Sequence, residues 1–94
     1  MATTTLVSPV ASGPSDMSAA VEVADGEAAT FCLYSDDDTV ANGATGQLFM
    51  LTPGEDQLIS NFGKAPVTVH GPASVAARVS RVPVGAEVGI ALYR

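Results

Sequence analysis

The sequence has few of the side chains that catalytic and metal sites need. Its 94 residues include one cysteine, one histidine and no tryptophan. A single thiol cannot form an internal disulfide, and one Cys with one His cannot supply the four ligands of a structural zinc site. Cys32 and His70 are the one pair that could act as nucleophile and base. Cys32 falls in an apolar strand, where thiols are inert, and His70 ends another. We therefore expect no enzymatic activity and no cofactor.

Basic residues are scarce as well. Residues 1–63 carry nine acids and no Lys or Arg, while 64–94 carry Glu87 and all four bases, which leaves a net charge of −6. Without a basic stripe and stacking aromatics, we expect no nucleic-acid partner. No apolar run approaches the roughly 18 residues of a membrane span, and the N-terminus lacks the basic start of a signal peptide. We expect a soluble protein, made in the cytoplasm, with no membrane partner.

A strand pattern dominates what is present. Apolar and polar residues alternate in short runs, and Gly, Pro and Asp turn signals separate these runs at intervals of about 8–12 residues. Phe31, Phe49 and Phe62 occupy positions predicted to be core. No helical periodicity lasts longer than one turn. The pattern predicts an all-β fold, a small antiparallel β-sandwich or jelly-roll-like domain of about seven strands, with a closed barrel as the alternative.

Two turn sequences predict hairpins. Asp25-Gly26 separates two runs of alternating residues, and Pro53-Gly54 follows the apolar run 47–51. Pro fixes φ at the second position of a type II turn, and Gly accepts the positive φ at the third. We therefore expect the strands on either side of each turn to be antiparallel neighbours.

Residues 1–17 differ in composition from the rest, being rich in small, hydroxylated and Pro residues. Pro9 has no N–H, so at most an edge strand fits here. We expect an extended N-terminal arm at 1–17 and the β-sandwich domain at 18–94. Such an arm would reach a neighbouring subunit and become ordered on contact, or it would fold back on its own sheet. Its apolar side chains are Leu6, Val7 and Val10.

Arg78 and Arg81 are the only clustered bases. They are three residues apart on a predicted strand, so the two-residue period of a strand places them on opposite faces. One interpretation pairs each with an acid across the sheet, and the other places one of them in a subunit contact. The candidate partner-contact residues are Leu6, Val7, Val10, Arg78 and Arg81.

The triplet Asp36-Asp37-Asp38 stands at the front of a long polar loop. Calcium prefers several carboxylate oxygens at one place. The EF-hand pattern fails, however, because Val40 and Ala41 occupy the third ligand position and the required glycine. A solvated loop is the simpler interpretation. An irregular calcium site that uses Asp36, Asp38 and another loop remains the alternative.

Three segments combine short Val- and Ala-rich strands with a Gly-Pro corner and a Val-Gly final strand. They read VEVADGEAATFCLY at 21–34, VTVHGPASVAAR at 67–78 and VGAEVGI at 84–90. Together they resemble the small virion proteins of tailed bacteriophages, in particular the capsid decoration or cement proteins. The resemblance implies a β-sandwich subunit, often a trimer, that binds the major capsid protein on the outer surface of the virion and stabilises the shell.

We therefore expect a non-enzymatic structural protein of a tailed-phage virion, of the decoration type. The alternative is a tail- or fibre-associated binding module that recognises a glycan or protein on the host surface. Carbohydrate surfaces use exposed aromatic platforms, and only Tyr34 and Tyr93 are predicted to be exposed aromatics.

Overall fold

The computed structural model describes residues 3–35, 43–63, 65–83, 85 and 87–94. Within these ranges, eight strands form two four-stranded antiparallel sheets around a common apolar core. The all-β prediction is confirmed, with one strand more than the seven expected. The triplet Asp36-Asp37-Asp38 and Lys64 lie outside the described residues, so the calcium prediction remains untested.

The strands divide evenly between the two sheets. In chain order they are β1 (Thr3–Val10), β2 (Val21–Val23), β3 (Ala28–Ser35), β4 (Thr45–Thr52), β5 (Glu55–Phe62), β6 (Val67–His70), β7 (Ala73–Arg81) and β8 (Val88–Tyr93). Sheet A has the order β1-β8-β3-β6, and sheet B has the order β2-β7-β4-β5. The central strands are therefore β8 and β3 in sheet A and β7 and β4 in sheet B, and β1, β6, β2 and β5 form the edges.

The core between the sheets is built from alternate residues of the central strands. Val75 and Val79 on β7, Ile90 on β8 and Phe31 on β3 are all fully buried, as the two-residue period predicts. No polar or charged residue in the described ranges is buried. Burial of apolar area therefore stabilises this fold, with no ionic network inside it.

The Pro53-Gly54 hairpin is confirmed. Thr52 pairs with Glu55 across the turn, and the ladder between β4 and β5 continues to the far ends of both strands. Gly54 has a φ of 90°, the conformation that the third position of a type II turn requires.

The Asp25-Gly26 turn is present, but the predicted hairpin is wrong. The Glu27 N–H donates to the Ala24 carbonyl at 3.0 Å, and Gly26 has a φ of 82°. However, β2 belongs to sheet B and β3 to sheet A, so the turn carries the chain from one sheet to the other. In a sandwich, strands that pair and strands that face each other across the core show the same alternation. The pattern alone cannot separate these two arrangements.

Residues 3–10 do not extend away from the domain as the predicted arm would. They form β1, an edge strand of sheet A that runs antiparallel to β8. Val7 lies in the core at 8% exposure. The register is irregular between Val7 and Val10, the stretch that contains Pro9. An edge position tolerates the missing N–H of Pro9, which is why a strand forms here.

After β1 the chain passes to the open edge of β7. The Ser15 N–H donates to the Val79 carbonyl and the Ser18 N–H to the Ala77 carbonyl, each at 2.8 Å. In return, the Ser18 hydroxyl accepts from the Ala77 N–H and the Ser15 hydroxyl from the Val79 N–H, each at 3.0 Å. The two serines therefore satisfy backbone groups of β7 beyond the short strand β2, and the N-terminal segment is attached to both sheets.

Candidate contact surfaces

Cys32 and His70 do not come together. Both side chains lie on the outer side of sheet A, but His70 pairs with Ala28, four residues from Cys32 along β3. Four strand residues span about 14 Å, far beyond the roughly 3 Å of a hydrogen bond between nucleophile and base. The thiol is instead beside Tyr93, and the hydrogen bond with Cys32 raises the pKa of the Tyr93 phenol above its ordinary value.

The five predicted contact residues fall into two groups on different sheets. Leu6, Val7 and Val10 lie on β1, where Val7 is buried and the other two pack against the core. Their apolar surface is therefore largely used within the chain rather than presented to a neighbour. Arg78 and Arg81 lie on β7 of sheet B.

Arg78 and Arg81 share one face of sheet B, and the prediction of opposite faces is wrong. Arg78 pairs with Gln47, and Arg81 pairs with Thr45, two residues away on β4. Residues two apart on a strand share a face, and direct cross-strand partners do too. The register shift in β7 inserts one extra residue, Ser80, and this bulge changes the alternation. A 2.6 Å hydrogen bond between the Thr45 and Ser80 hydroxyls stabilises the bulge.

The outer surface of sheet A, called face A below, is uncharged within the described residues. The register assigns to it Thr3, Thr5, Ala28, Thr30, Cys32, Tyr34, Thr68, His70, Gly89, Ala91 and Tyr93. None of these is Asp, Glu, Lys or Arg. One cross-strand row carries four hydroxyl groups, and two of its members, Thr30 and Thr68, hydrogen-bond at 2.9 Å. Face A therefore offers hydroxyl donors and acceptors without formal charge.

Two tyrosines lie at separate places on face A. The Tyr34 ring lies against Gly89, its direct partner on β8, so close that a Cβ there would come within 2.9 Å of the ring. Tyr93 is paired with Thr30, four residues further along β3. Both tyrosines are half-buried rather than exposed as predicted.

The outer surface of sheet B, called face B below, is organised in rows across the strands. From one end to the other, the rows are Glu22, Ser74, Leu51 and Asp56; Ala76, Phe49 and Leu58; Arg78, Gln47 and Asn61; and Arg81 with Thr45. Acids therefore occupy one end of the face, apolar residues its middle, and bases the other end.

The apolar middle of face B was missed by the sequence analysis. Phe49 was predicted to be core, but it is half-buried on face B, whereas its neighbour Leu48 is 1% exposed. Leu58, opposite Phe49 on β5, is 48% exposed. The continuous apolar run from Leu48 to Leu51 concealed this alternation. The polar Gln47 could have indicated it. Gln47 and Phe49 are two residues apart on one strand and therefore point to the same face, which a polar residue marks as the outer one.

A cleft opens at one end of the sandwich, lined by Val23, Glu27, Ala28 and Arg94. Arg94 donates from Nη1 to the Glu22 carbonyl at 2.9 Å, which orients its side chain beside this cleft. The described part of the chain contains no group of three or more His, Cys, Asp or Glu side chains that could hold a metal ion. The candidate sites are therefore the two faces rather than a pocket.

These features define a small antiparallel β-sandwich whose two outer faces have different chemistry. Comparison of the chain with protein-family models, with curated proteins and with solved structures finds no match. None of the segments that the structure describes is a helix long and apolar enough to span a membrane.

Proposed function

We propose that the protein is a non-enzymatic structural protein of a tailed-phage virion, a decoration or cement protein that binds the outer shell and stabilises it through subunit contacts. The observation that carries this proposal is the uncharged face A on a chain with a net charge of −6. Interface centres are depleted in charged residues, because a carboxylate that loses its water without gaining a partner is costly. Face A is the surface that docks with the smallest such cost.

The acids of the described residues lie away from face A. Acids lie on the Asp25 and Glu27 turn, at Glu87 and at one end of face B, and they are exposed. A subunit attached by face A keeps these carboxylates in water, so binding carries no desolvation cost for them. The row of four hydroxyls on face A can meanwhile bond to backbone or side-chain groups of the shell protein.

A charge placed on face A should weaken the binding of the protein to the shell. We expect Thr68→Glu, at an exposed position of β6, to weaken binding at least about tenfold, because the carboxylate is desolvated in the contact. The measurement is co-sedimentation of the purified protein with gradient-purified heads of the phage that encodes the chain. Ser12→Glu, an exposed position outside both sheets, is the matched control and should bind as the unmodified chain does. Absence of the unmodified chain from the heads contradicts the proposal.

A second candidate function uses the same face. Tyr93 lies in the hydroxyl row of face A, and Tyr34 lies four residues away along the neighbouring strand. That spacing is about 14 Å, so a neutral oligosaccharide lying along the strands would contact both rings. The protein would then be a tail- or fibre-associated module that recognises a host-surface glycan.

Glycan-array binding separates the two candidates. If the second holds, the purified protein binds a neutral glycan, and Tyr93→Ala lowers that signal at least about tenfold, because the ring supplies contact area to the sugar. Tyr93→Phe retains the ring and should keep most of it. Immunogold label at the tail tip, rather than on the head, would support the same function. No array signal together with label on the head supports decoration.

A further inference from the structure

Face B carries a second surface that the shell-binding proposal does not use. Its acids, apolar residues and bases follow one another along the strands. Ser74 in the acidic row and Arg78 in the first basic row are four residues apart on β7, or about 13 Å, with the apolar row midway. We propose that two copies of the chain pair through face B about a two-fold axis that runs along the apolar row.

The order of the rows explains why the partner is a second copy. A two-fold axis along the middle row reverses the strand direction of one copy relative to the other. The acidic row of each copy then lies over the basic rows of its partner, and apolar residues meet in the centre. Every residue of the contact recurs on the opposite side, which is the self-complementarity that a closed dimer needs. Axes perpendicular to this one within the interface would place acids over acids.

The apolar row has the composition of an interface centre. Phe49 and Leu58 are direct partners on β4 and β5, and Leu58 is 48% exposed. Ile59, next to Leu58 at the register shift of β5, is also exposed, at 43%, whereas Met50 pairs with the buried Val75 and therefore lies on the other side of the sheet. Aromatic residues and Arg are enriched in protein contacts, whereas isolated monomers seldom group exposed apolar side chains on one face.

The side chain of Arg78 is already oriented by contacts within its own chain. Its guanidinium carbon lies 5.1 Å from the centre of the Phe49 ring, and its Nε donates to Gln47 Oε1 at 2.8 Å. These contacts fix the side chain over the sheet, so less conformational entropy is lost on binding. The remaining guanidinium N–H groups can meet the partner's Glu22 or Asp56, a geometry that suits carboxylates.

Among the described residues, Asp16 and Arg94 are charged and border face B without belonging to its rows. Asp16 lies in the segment along the edge of β7, and Arg94 lies near Glu22. Both are exposed, and each has the sign opposite to the row nearest to it, so it partly offsets the charge of that row.

The area of face B predicts the strength of the dimer. Three strands about 4.8 Å apart and about 27 Å long cover roughly 400 Å² on each copy, which is typical of weak contacts. We therefore expect a dimer that forms at micromolar rather than nanomolar concentration.

The first test is the solution mass of the purified full chain by sedimentation equilibrium between about 5 and 500 µM. The expected result is a reversible change from one chain to two. Because the outer rows carry opposite charges, raising the salt from about 0.05 M to 0.5 M should weaken the dimer severalfold. A mass that stays at one chain at every concentration overturns the proposal. So does a trimer, the state that the phage resemblance implies, because the contact defined by face B closes at two copies.

The second test exchanges the charges at the two ends. The double substitution Arg78→Glu with Arg81→Glu leaves both ends acidic, and Glu22→Lys with Asp56→Lys leaves both ends basic. Each variant alone should dimerise at least about tenfold more weakly than the unmodified chain, because like charges now meet. An equimolar mixture should restore the two-chain mass. Failure of the mixture to associate, while each variant melts cooperatively, overturns the two-fold arrangement.

The control changes the same total charge elsewhere. Asp25→Lys with Glu87→Lys removes two acids from exposed positions outside face B, and it should dimerise as the unmodified chain does. If this control weakens the dimer equally, net charge rather than face B governs association, and the proposal fails. Arg81→Glu alone, at an exposed position, tests the same direction without disturbing the Arg78 contacts. All of these measurements use the protein without a shell, so they stand or fall independently of the decoration proposal.

Discussion

Val7→Asp should strongly destabilise the folded protein, whereas Ser8→Asp should leave its stability almost unchanged. Val7 is 8% exposed and lies in the core, while the neighbouring Ser8 is exposed on the same strand. The substitution removes about 2 kcal/mol of apolar burial and desolvates a carboxylate, which costs several kcal/mol more. A domain of this size has only about 5–14 kcal/mol of stability. We expect a loss of about 4 kcal/mol or more, measured by urea unfolding followed by circular dichroism.

The two variants differ only in which side of β1 receives the charge. If residues 3–10 were an arm that projects from the domain, both variants would melt as the unmodified chain does. Equal melting temperatures for Val7→Asp and Ser8→Asp would therefore show that β1 is not part of the folded core. A large difference confirms that the strand, including Leu6 and Val10 beside it, belongs to the subunit's own packing.

Gly71→Ala should be the most damaging of the glycine substitutions. A Cβ at Gly71 would collide with the carbonyl oxygens of Ala24 and Val23, the latter at 2.5 Å, and backbone oxygens cannot rotate away. The Gly71 N–H also donates to the Glu27 carbonyl at 2.9 Å, so the two segments are tied together at this point. Separating them to admit a methyl group should cost about 3 kcal/mol.

Gly63→Ala is the matched control, because its Cβ would meet only the Ala44 carbonyl oxygen at 3.5 Å, an ordinary contact distance. It should change the free energy of unfolding by less than about 1 kcal/mol. Urea midpoints with unchanged slopes compare the two variants directly. A Gly71→Ala protein as stable as Gly63→Ala would show that the approach of β6 to the 24–27 turn is looser than this structure has it.

The sequence allowed the strands to be predicted more reliably than their partners. On β7, the alternate residues Val75, Ala77 and Val79 are all buried, as a period of two predicts, because local alternation records which side faces the core. On β8 every residue from Val88 to Leu92 is buried, so alternation of burial does not separate the two sides there. The period of two could not show which strands pair with each other. Pro53-Gly54 and Asp25-Gly26 are both genuine turns with a positive-φ glycine, yet one closes a hairpin and the other crosses between sheets. That choice depends on contacts between distant segments, which no local signal records.

The candidate surfaces were harder to predict, for two physical reasons. One extra residue in β7, Ser80, brings Arg81 to the same side as Arg78, and a bulge has no reliable signature in a single sequence. The rows of face B also combine residues from four strands, so their order depends on the register between β2, β7, β4 and β5. The absence of acids from face A likewise depends on the pairing of four strands in sheet A, which the sequence does not specify.

The pairing of β1 with β8 has a consequence for how the chain folds. Thr3 lies opposite Tyr93, so sheet A is completed only when the two most distant parts of the described chain meet. Closing a loop of this length costs entropy before any contact offsets it, and chains rich in such distant pairs fold slowly. During synthesis, β1 is made before its partner β8. Until β8 is available, the apolar side chains of Val7 and Leu6 remain uncovered. Complete folding therefore depends on translation reaching β8, and a stalled chain would expose an unpaired strand to aggregation.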